Sequence, residues 1–283
     1  MLYLTLTNKI IKLENAKRNF KMLNKLKKLI GLVGLTSLST VSCAQQDQEA
    51  IWQNVYNTRT QYYEENIGKL PDDILKIAHM AGVWPGGGLY VIPADKIGKD
   101  ITVYSTFGLT NPDMPAQATV SDVKVEKDNL GRVVSSSANI KSKTQTAALS
   151  GAAGYGYELI LMTKDKNAEW PLWFLQWAVQ AELLNDAGFL KRVEKYNGLT
   201  VEAISVGDNE NDKINVLITK AQKPLPLSTQ LPNGKMEFLV AIVITDEEMK
   251  WSMKNGRNEL ASKLMEAGVG QLSDRNRPSV IGN

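Results

Sequence analysis

The chain has 283 residues, of which 43% are hydrophobic and 22% are charged, a balance typical of a folded globular protein. This length predicts one large domain or two small ones. Its net charge of +3 is concentrated at the front, because residues 1–42 carry eight of the 33 Lys and Arg residues but only one of the 30 Asp and Glu residues. The remainder therefore carries 25 basic and 29 acidic residues, which gives no electrostatic reason to expect a nucleic acid partner.

The chain contains one cysteine, Cys43, and one histidine, His79. A single cysteine excludes an intramolecular disulfide and a thiolate metal cluster. Without any His-His or Cys-His spacing, neither a zinc site nor a Ser-His or Cys-His nucleophile pair is expected. The sequence therefore predicts no metal site and no cofactor.

Residues 22–43, "MLNKLKKLIGLVGLTSLSTVSC", have the pattern of a bacterial lipoprotein signal. Three lysines precede an apolar run that is too short to span a bilayer, and small residues then lead to Cys43. This ending resembles a lipobox, although Thr40 occupies a position where Leu is more usual. We expect residues 1–42 to be removed and Cys43 to be acylated. Because this signal is self-sufficient, Met22 is favoured as the true start.

The expected consequence is attachment to the bacterial cell envelope, since two or three acyl chains bind a membrane stably. Residues 43–50 would form a polar tether, and Ala44 at the second mature position resembles the sorting pattern for the outer membrane. An ordinary cleaved signal, or a buried cysteine after an amphipathic helix, is the alternative interpretation.

Helical and extended patterns mix irregularly along residues 51–283. Helices are expected over 50–67 and 170–184 and after Thr245, which can cap a helix whose first turn is acidic. Strands are expected at 101–109, 155–163, 197–206, 214–220 and 236–245. Residues 116–150 are polar and predict a flexible insertion consisting of a hairpin around 128–131 and a loop. Such a mixture indicates an α+β fold.

Three tryptophans lie close together in "EWPLWFLQWA", residues 169–178. Pro171 suits the first turn of a helix, and Trp173 and Trp177 would then share one face with Ala181 and Leu184. Phe174 and Leu175 widen this apolar face. Such a stripe predicts packing against a sheet rather than an aromatic cage for a ligand.

Five stretches in order resemble motifs of the Suppressor of fused (SUFU) domain family. A strand "VYSTFGLTN" (103–111) precedes a strand "GYGYELILMT" (154–163) and the helix "WPLWFLQWAVQ" (170–180). Later come "LPNGKMEFLVAIVITDEEM" (231–249) and "LSDRNRPSV" (272–280).

The resemblance implies that residues 51–283 form an α+β domain with a mixed, mainly antiparallel sheet packed by helices. It also implies a protein-binding domain without catalytic residues. Animal members restrain Hedgehog-pathway transcription factors, and bacterial members resemble immunity proteins that neutralise toxins. Tyr104 matches a strand tyrosine near the peptide groove of animal members. Asn111 replaces the family's acidic residue, but Asp113 follows closely, so Tyr104 and Asp113 are candidate partner contacts. A core tyrosine and a turn-forming aspartate are the alternatives.

The leading hypothesis is a lipid-anchored, non-catalytic protein that binds a toxin or effector by an open sheet edge or an aromatic surface. The acidic loop at 207–215 could then complement a basic partner. A structural envelope lipoprotein is one alternative. Another is a hydrolase or lyase that uses carboxylates such as Glu158 or Asp274. A strand-end salt bridge from Glu158 to Arg275 or Arg277 is the better explanation of Glu158.

Overall fold

The computed structural model describes residues 39–77, 80, 83–115, 118–127, 133–142, 150–165, 167–209 and 211–282. Residues 1–38, which make up most of the predicted signal peptide, lie outside this set. The chain divides into two units, Met1–Gln48 and Glu49–Asn283. None of the described helices combines the length and the apolar character that a membrane span requires.

The described part contains five helices and nine strands. The helices are α1 (Ser39–Asn66), α2 (Trp170–Asn185), α3 (Phe189–Tyr196), α4 (Asp246–Asn255) and α5 (Arg257–Glu266). The strands are β1 (Gly88–Pro93), β2 (Thr102–Phe107), β3 (Ala118–Lys127), β4 (Val133–Ser142), β5 (Ala152–Thr163), β6 (Leu199–Ser205), β7 (Lys213–Lys220), β8 (Ser228–Leu231) and β9 (Gly234–Ile244).

Seven strands form one mixed sheet in the order β1-β2-β5-β9-β7-β6, and β8 pairs with the first half of β9. Its central pair, β5 and β9, is parallel, whereas the other pairs are antiparallel. The predicted α+β class with a mixed, mainly antiparallel sheet is therefore confirmed.

Hydrophobic side chains cover both faces of this sheet. Along β5, Leu159 and Leu161 belong to one core cluster, and Ile160 and Met162 belong to the other. Helices α2 and α3 pack in the first cluster, and α1, α4 and α5 pack in the second. Because both faces are buried, the central strands are apolar almost throughout.

A separate two-stranded antiparallel sheet consists of β3 and β4. It corresponds to the predicted hairpin, whose connecting residues 128–132 lie outside the described set. The following loop, 143–149, also lies outside it.

Two local predictions differ from the structure. Residues 43–50, predicted to be a tether, are helical as part of α1. On α2, the predicted apolar face differs at one position, Trp173, which is 39% exposed. The other predicted members of this face are buried or pack partly buried against the core: Phe174, Leu175, Trp177, Ala181 and Leu184. Trp177 is partly buried between the rings of Phe174 and Phe189, at centroid distances of 6.0 and 6.1 Å. Apart from Trp173, the aromatic residues of this helix therefore contribute to the core, as predicted.

Candidate functional site

The most unusual polar group in the sheet is the carboxylate of Glu158, which lies on β5 and is 0% exposed. Both of its oxygens accept hydrogen bonds from the end of β2 and the segment that follows it. The donors are Thr106 Oγ1 (2.7 Å), Gly108 N (2.9 Å), Leu109 N (3.3 Å), Thr110 N (3.1 Å) and Thr110 Oγ1 (2.7 Å). A carboxylate accepting this many hydrogen bonds fixes the path of the loop after β2.

The positive partner of Glu158 is Arg59 of α1, which is also fully buried. Its Nη1 lies 3.6 Å from Glu158 Oε1 and donates to Thr110 Oγ1, while its Nη2 donates to Asn111 Oδ1. The guanidinium also stacks over the ring of Phe107, 3.9 Å from its centroid. Burial lowers the pKa of the Arg59 guanidinium below its usual range, and the charge of Glu158 opposes this effect. The pair compensates charges that would otherwise be costly in the core.

Glycines allow the backbone to close around this pair. A Cβ on Gly154, whose φ is 55°, would lie 2.3 Å from the carbonyl oxygen of Leu109. A Cβ on Gly108, whose φ is 126°, would lie 2.7 Å from the Cα of Gly87. These positions need glycine because of both the backbone conformation and the close approach.

A second layer of polar contacts surrounds the loop. Asn233, in the turn between β8 and β9, donates through Nδ2 to the carbonyl oxygen of Thr110 at 3.0 Å. Asn111 donates to the carbonyl oxygen of Pro85 at 3.0 Å. We call residues Arg59, Thr106, Gly108–Asn111, Glu158 and Asn233 the Glu158 node. Three stretches that are far apart in the sequence, "FGLTN", "GYGYE" and "PNG", therefore meet at one buried carboxylate.

The node is poorly suited to acid–base chemistry. Glu158 has no exposed surface, and its oxygens already accept from five donors and face Arg59. A general acid or base must reach the proton that it transfers in a bound substrate. Among the residues that the structure describes, no group of three or more His, Cys, Asp and Glu side chains could hold a metal ion.

Comparison with known proteins identifies the family. The model of the Suppressor of fused protein (SUFU) family matches residues 84–278, which is more than half of the chain. The chain belongs to the SUFU family. Its matched region contains every residue of the Glu158 node except Arg59.

Two crystal structures are among its structural matches. One, of the Sufu–Fu complex, has 16% identity and a TM-score of 0.42, covering 81% of this chain and 91% of that chain. The other, Drosophila Suppressor of Fused, has 16% identity and a TM-score of 0.34, covering 72% of this chain and 50% of that chain. No curated protein sequence gives a significant match.

Within this SUFU domain, Tyr104 and Asp113 lie in different surroundings. Tyr104 is only 1% exposed, and its hydroxyl donates to the carbonyl oxygen of Ala168 at 2.9 Å. It lines the floor of an open cleft of about 660 Å³ beside Val91 and Asn167. Asp113 is partly buried and accepts a hydrogen bond of 3.0 Å from Trp52 Nε1 on α1. The structure therefore does not bring the two predicted contacts together in one site.

The predicted salt bridge from Glu158 to Arg275 or Arg277 is wrong, because both arginines have other partners. Arg277 forms two hydrogen bonds to Glu248, at 2.6 and 2.7 Å, and Arg275 pairs with Asp212 of the acidic loop. Asp274 is exposed and accepts a hydrogen bond from the backbone N–H of Asn276. Glu158 and Asp274 therefore do not form a catalytic pair.

A second buried carboxylate, Glu182 of α2, was not singled out by the sequence. It is 3% exposed and accepts hydrogen bonds from Tyr157 Oη (2.7 Å), Gly188 N (3.2 Å) and Phe189 N (3.0 Å). It thereby satisfies backbone N–H groups at the start of α3. Burial raises the pKa of Glu182, although these hydrogen bonds oppose the change.

The sequence analysis also missed Arg59, because an arginine in the helical pattern of α1 is expected to lie on the surface. The available signal was its spacing: Val55, Arg59, Tyr63 and Ile67 recur every four positions, and all four are 0% exposed. An arginine within such a buried stripe indicates a buried acidic partner.

Proposed function

We propose that this SUFU-family chain is a non-catalytic protein-binding domain held on a bacterial envelope by lipid on Cys43, where it neutralises a toxin or effector by direct binding. The observation that carries the proposal concerns Glu158, the acidic residue that was the main catalytic candidate. This residue is fully buried, and its partners all lie within the fold. Membership of a family with a member captured in a Sufu–Fu complex supports a protein as the ligand.

Lipid anchoring is supported by the sequence pattern before Cys43, the only cysteine of the chain. Acylation there would retain the domain at a membrane, with the outer membrane favoured by Ala44. The test is mass spectrometry of the mature protein. A diacylated N-terminus at Cys43 supports the anchor, and an unmodified chain, or one that begins elsewhere, contradicts it.

Tyr104 and Asp113 remain the proposed partner contacts. Asp113 has the more accessible side chain, and Tyr104 would contact a partner only through the floor of its cleft. Because truncating a buried tyrosine can unfold the domain, Tyr104→Phe and Asp113→Asn are the suitable variants. Each removes one polar contact and preserves the volume of the side chain.

The binding proposal is tested by capture experiments with the chain from Ala44 onward, which contains the whole Glu49–Asn283 unit. Lysate and secreted protein of the same organism supply the ligands, and a hit must rebind as a purified protein with fixed stoichiometry. We expect one partner whose toxicity is suppressed when the two proteins are co-expressed. Failure to recover a partner that rebinds contradicts the proposal.

Anchoring and binding are separated by a cell protection assay. If the toxin acts at the envelope, wild type should protect cells better than Cys43→Ser at equal protein levels. Equal protection by the two proteins contradicts the functional role of the anchor but leaves direct binding intact.

A further inference from the structure

A cavity at the carboxyl end of β5 takes no part in the Glu158 node. Its volume is about 450 Å³, which lies in the range of small-molecule pockets, and Thr163, the last residue of β5, forms part of its wall. Strand β5 belongs to the parallel pair of the sheet, and clefts beyond the carboxyl ends of parallel strands are common positions for ligands. The cavity is therefore a candidate binding site.

The cavity opens where two backbone segments separate. The N–H of Ser273 donates to the carbonyl oxygen of Met162 at 2.8 Å, as part of a short parallel pairing with β5. Among the residues that the structure describes, no backbone hydrogen bond continues this pairing from Lys164 to Asp274 or Arg275. These three residues all line the cavity, which thus occupies the position at which the pairing would otherwise continue.

One side of the cavity is apolar. Its wall includes the ring of Trp170, which is 6% exposed, and the side chain of Leu272, which packs partly buried against the core. Trp170 Nε1 donates to Asp165 Oδ2 at 3.3 Å, and the guanidinium of Arg275 lies 5.7 Å from the ring centroid. Because these contacts hold the indole in place, the cavity offers a rigid surface to a hydrophobic side chain.

Four charged side chains of the described residues line the cavity, and two of them have partners. Asp165 accepts the indole N–H, and Arg275 pairs with Asp212 outside the cavity. The other two are Lys164 and Asp274. In the described part of the chain, neither belongs to a salt bridge, and Asp274 accepts only a backbone N–H of its own turn.

An ammonium on Lys164 and a carboxylate on Asp274 therefore line one cavity without pairing with each other. A ligand that complements both groups carries a carboxylate for Lys164 and an ammonium for Asp274, and each contact is a charge-assisted hydrogen bond. The apolar wall at Trp170 adds a place for a hydrophobic side chain. Together these requirements describe a zwitterionic amino acid.

We infer that this cavity binds a free α-amino acid, or a dipeptide, with a hydrophobic side chain. Lys164 binds the carboxylate, Asp274 binds the ammonium, and Trp170 and Leu272 contact the side chain. The terminus of a protein chain carries only one of the two charges, so it satisfies only half of the site. This binding activity goes beyond the proposed capture of a protein and does not depend on it.

Isothermal titration calorimetry with the chain from Ala44 onward tests the inference. The ligands are free leucine, free phenylalanine and the dipeptide of the two. Their N-acetylated and C-amidated forms are matched controls, because each removes one charge and keeps the side chain. Each blocked form should bind at least about tenfold more weakly than the free form, since it loses one charge-assisted hydrogen bond.

Substitutions of the two unpaired charges test the site itself. Lys164→Met and Asp274→Asn should each weaken binding of the free ligands by about five- to tenfold. Both residues are exposed, so the melting temperature should stay close to that of wild type. Lys213→Met and Asp208→Asn remove exposed charges that do not line the cavity, and these control variants should retain wild-type affinity.

Nuclear magnetic resonance locates the bound ligand. The indole N–H resonance of Trp170 should shift on titration with a free ligand, and that of Trp251, on α4 and outside the cavity, should not. Absence of both heat and a Trp170 shift with every free ligand overturns the inference. Equal affinity of free and blocked ligands, or undiminished binding by Lys164→Met and Asp274→Asn, also overturns it. These outcomes leave the proposed function standing, because that function is tested with a protein partner.

Discussion

Two buried glutamates in different parts of the molecule are held in different ways. Glu158, within the sheet, faces Arg59 and accepts hydrogen bonds from five donors. Glu182, at the corner between α2 and α3, accepts from three donors, and its pKa is raised by burial. The charge of Glu158 is thus compensated by the charge of Arg59, whereas Glu182 is held by hydrogen bonds alone.

A buried carboxylate in this chain therefore need not indicate a catalytic site. In the Glu158 node, the carboxylate organises a loop and joins α1 to the sheet. In the Glu182 corner, the carboxylate of α2 accepts hydrogen bonds from the backbone N–H groups at the start of α3. Both carboxylates thus satisfy backbone N–H groups within the fold.

The largest expected effect comes from removing the cation of the node. Arg59→Met keeps an unbranched side chain over Phe107 but leaves Glu158 as an uncompensated buried charge. We expect a loss of about 3–5 kcal/mol in the free energy of unfolding, measured by urea denaturation. In the double variant Arg59→Met/Glu158→Gln the loss should be smaller than the sum of the two single losses. Additive effects would show that the two side chains are not coupled.

The close approach of the backbone in the node is tested by a pair of glycines. Gly154 and Gly268 both have positive φ, 55° and 74°, but only Gly154 has neighbours within 4 Å of an added Cβ. Gly268→Ala should cost about 1 kcal/mol from the left-handed conformation alone. Gly154→Ala should cost about 2–4 kcal/mol, because its Cβ also meets Leu109. Similar losses for the two variants would contradict the packing of this loop.

A pH dependence distinguishes the Glu182 corner. Because the pKa of Glu182 is raised above 4.5 in the folded state, the folded chain retains a proton that the unfolded chain has released. Its contribution to stability should therefore fall as pH rises from 4.5 through the raised pKa. In Glu182→Gln this decline should be absent when unfolding is followed across that range. An identical pH profile for the two proteins contradicts the raised pKa.

Glu248, at the start of α4, provides the opposite case. Burial alone would raise its pKa, but hydrogen bonds from Arg277 and from the N–H groups of Val280 and Thr245, together with the charge of Arg277, lower it. Its stabilising contribution is present above pH 4.5 and should be lost as pH falls through the lowered pKa. Glu248→Gln should therefore remove a decline at acidic pH, below the window of Glu182.

The smallest effect is expected at the exposed start of α2. Trp173 is 39% exposed, whereas its neighbour Phe174 is fully buried. Trp173→Ala should change stability by less than about 1 kcal/mol, and Phe174→Ala should cost about 3–5 kcal/mol. Melting curves of the two variants measure the difference, and a large loss for Trp173→Ala would restore the stripe expected from the sequence.

Local chemistry explains what the sequence could predict. Pro171 begins α2, and Thr245 forms a capping box with Glu248 at the start of α4, as expected. These features depend on residues a few positions apart, so that short-range patterns reveal them.

Long-range placement explains what the sequence could not predict. The pairing of Glu158 with Arg59 depends on how α1 crosses the sheet, and no local pattern contains that information. The contact between Trp177 of α2 and Phe189 of α3 likewise depends on how the two helices pack. The Glu182 site requires the corner between the two helices, which appears only after they pack.

If the family motifs of this chain build a fold that binds protein, the Glu158 node should support the fold without contacting the partner. The most direct test compares the partner affinities of wild type and Arg59→Met/Glu158→Gln. Both proteins are titrated calorimetrically with the purified partner under conditions in which both remain folded. We expect a lower melting temperature for the double variant but an affinity equal to that of wild type. Loss of binding by a folded double variant would place the Glu158 node in the binding site and would contradict its purely structural role.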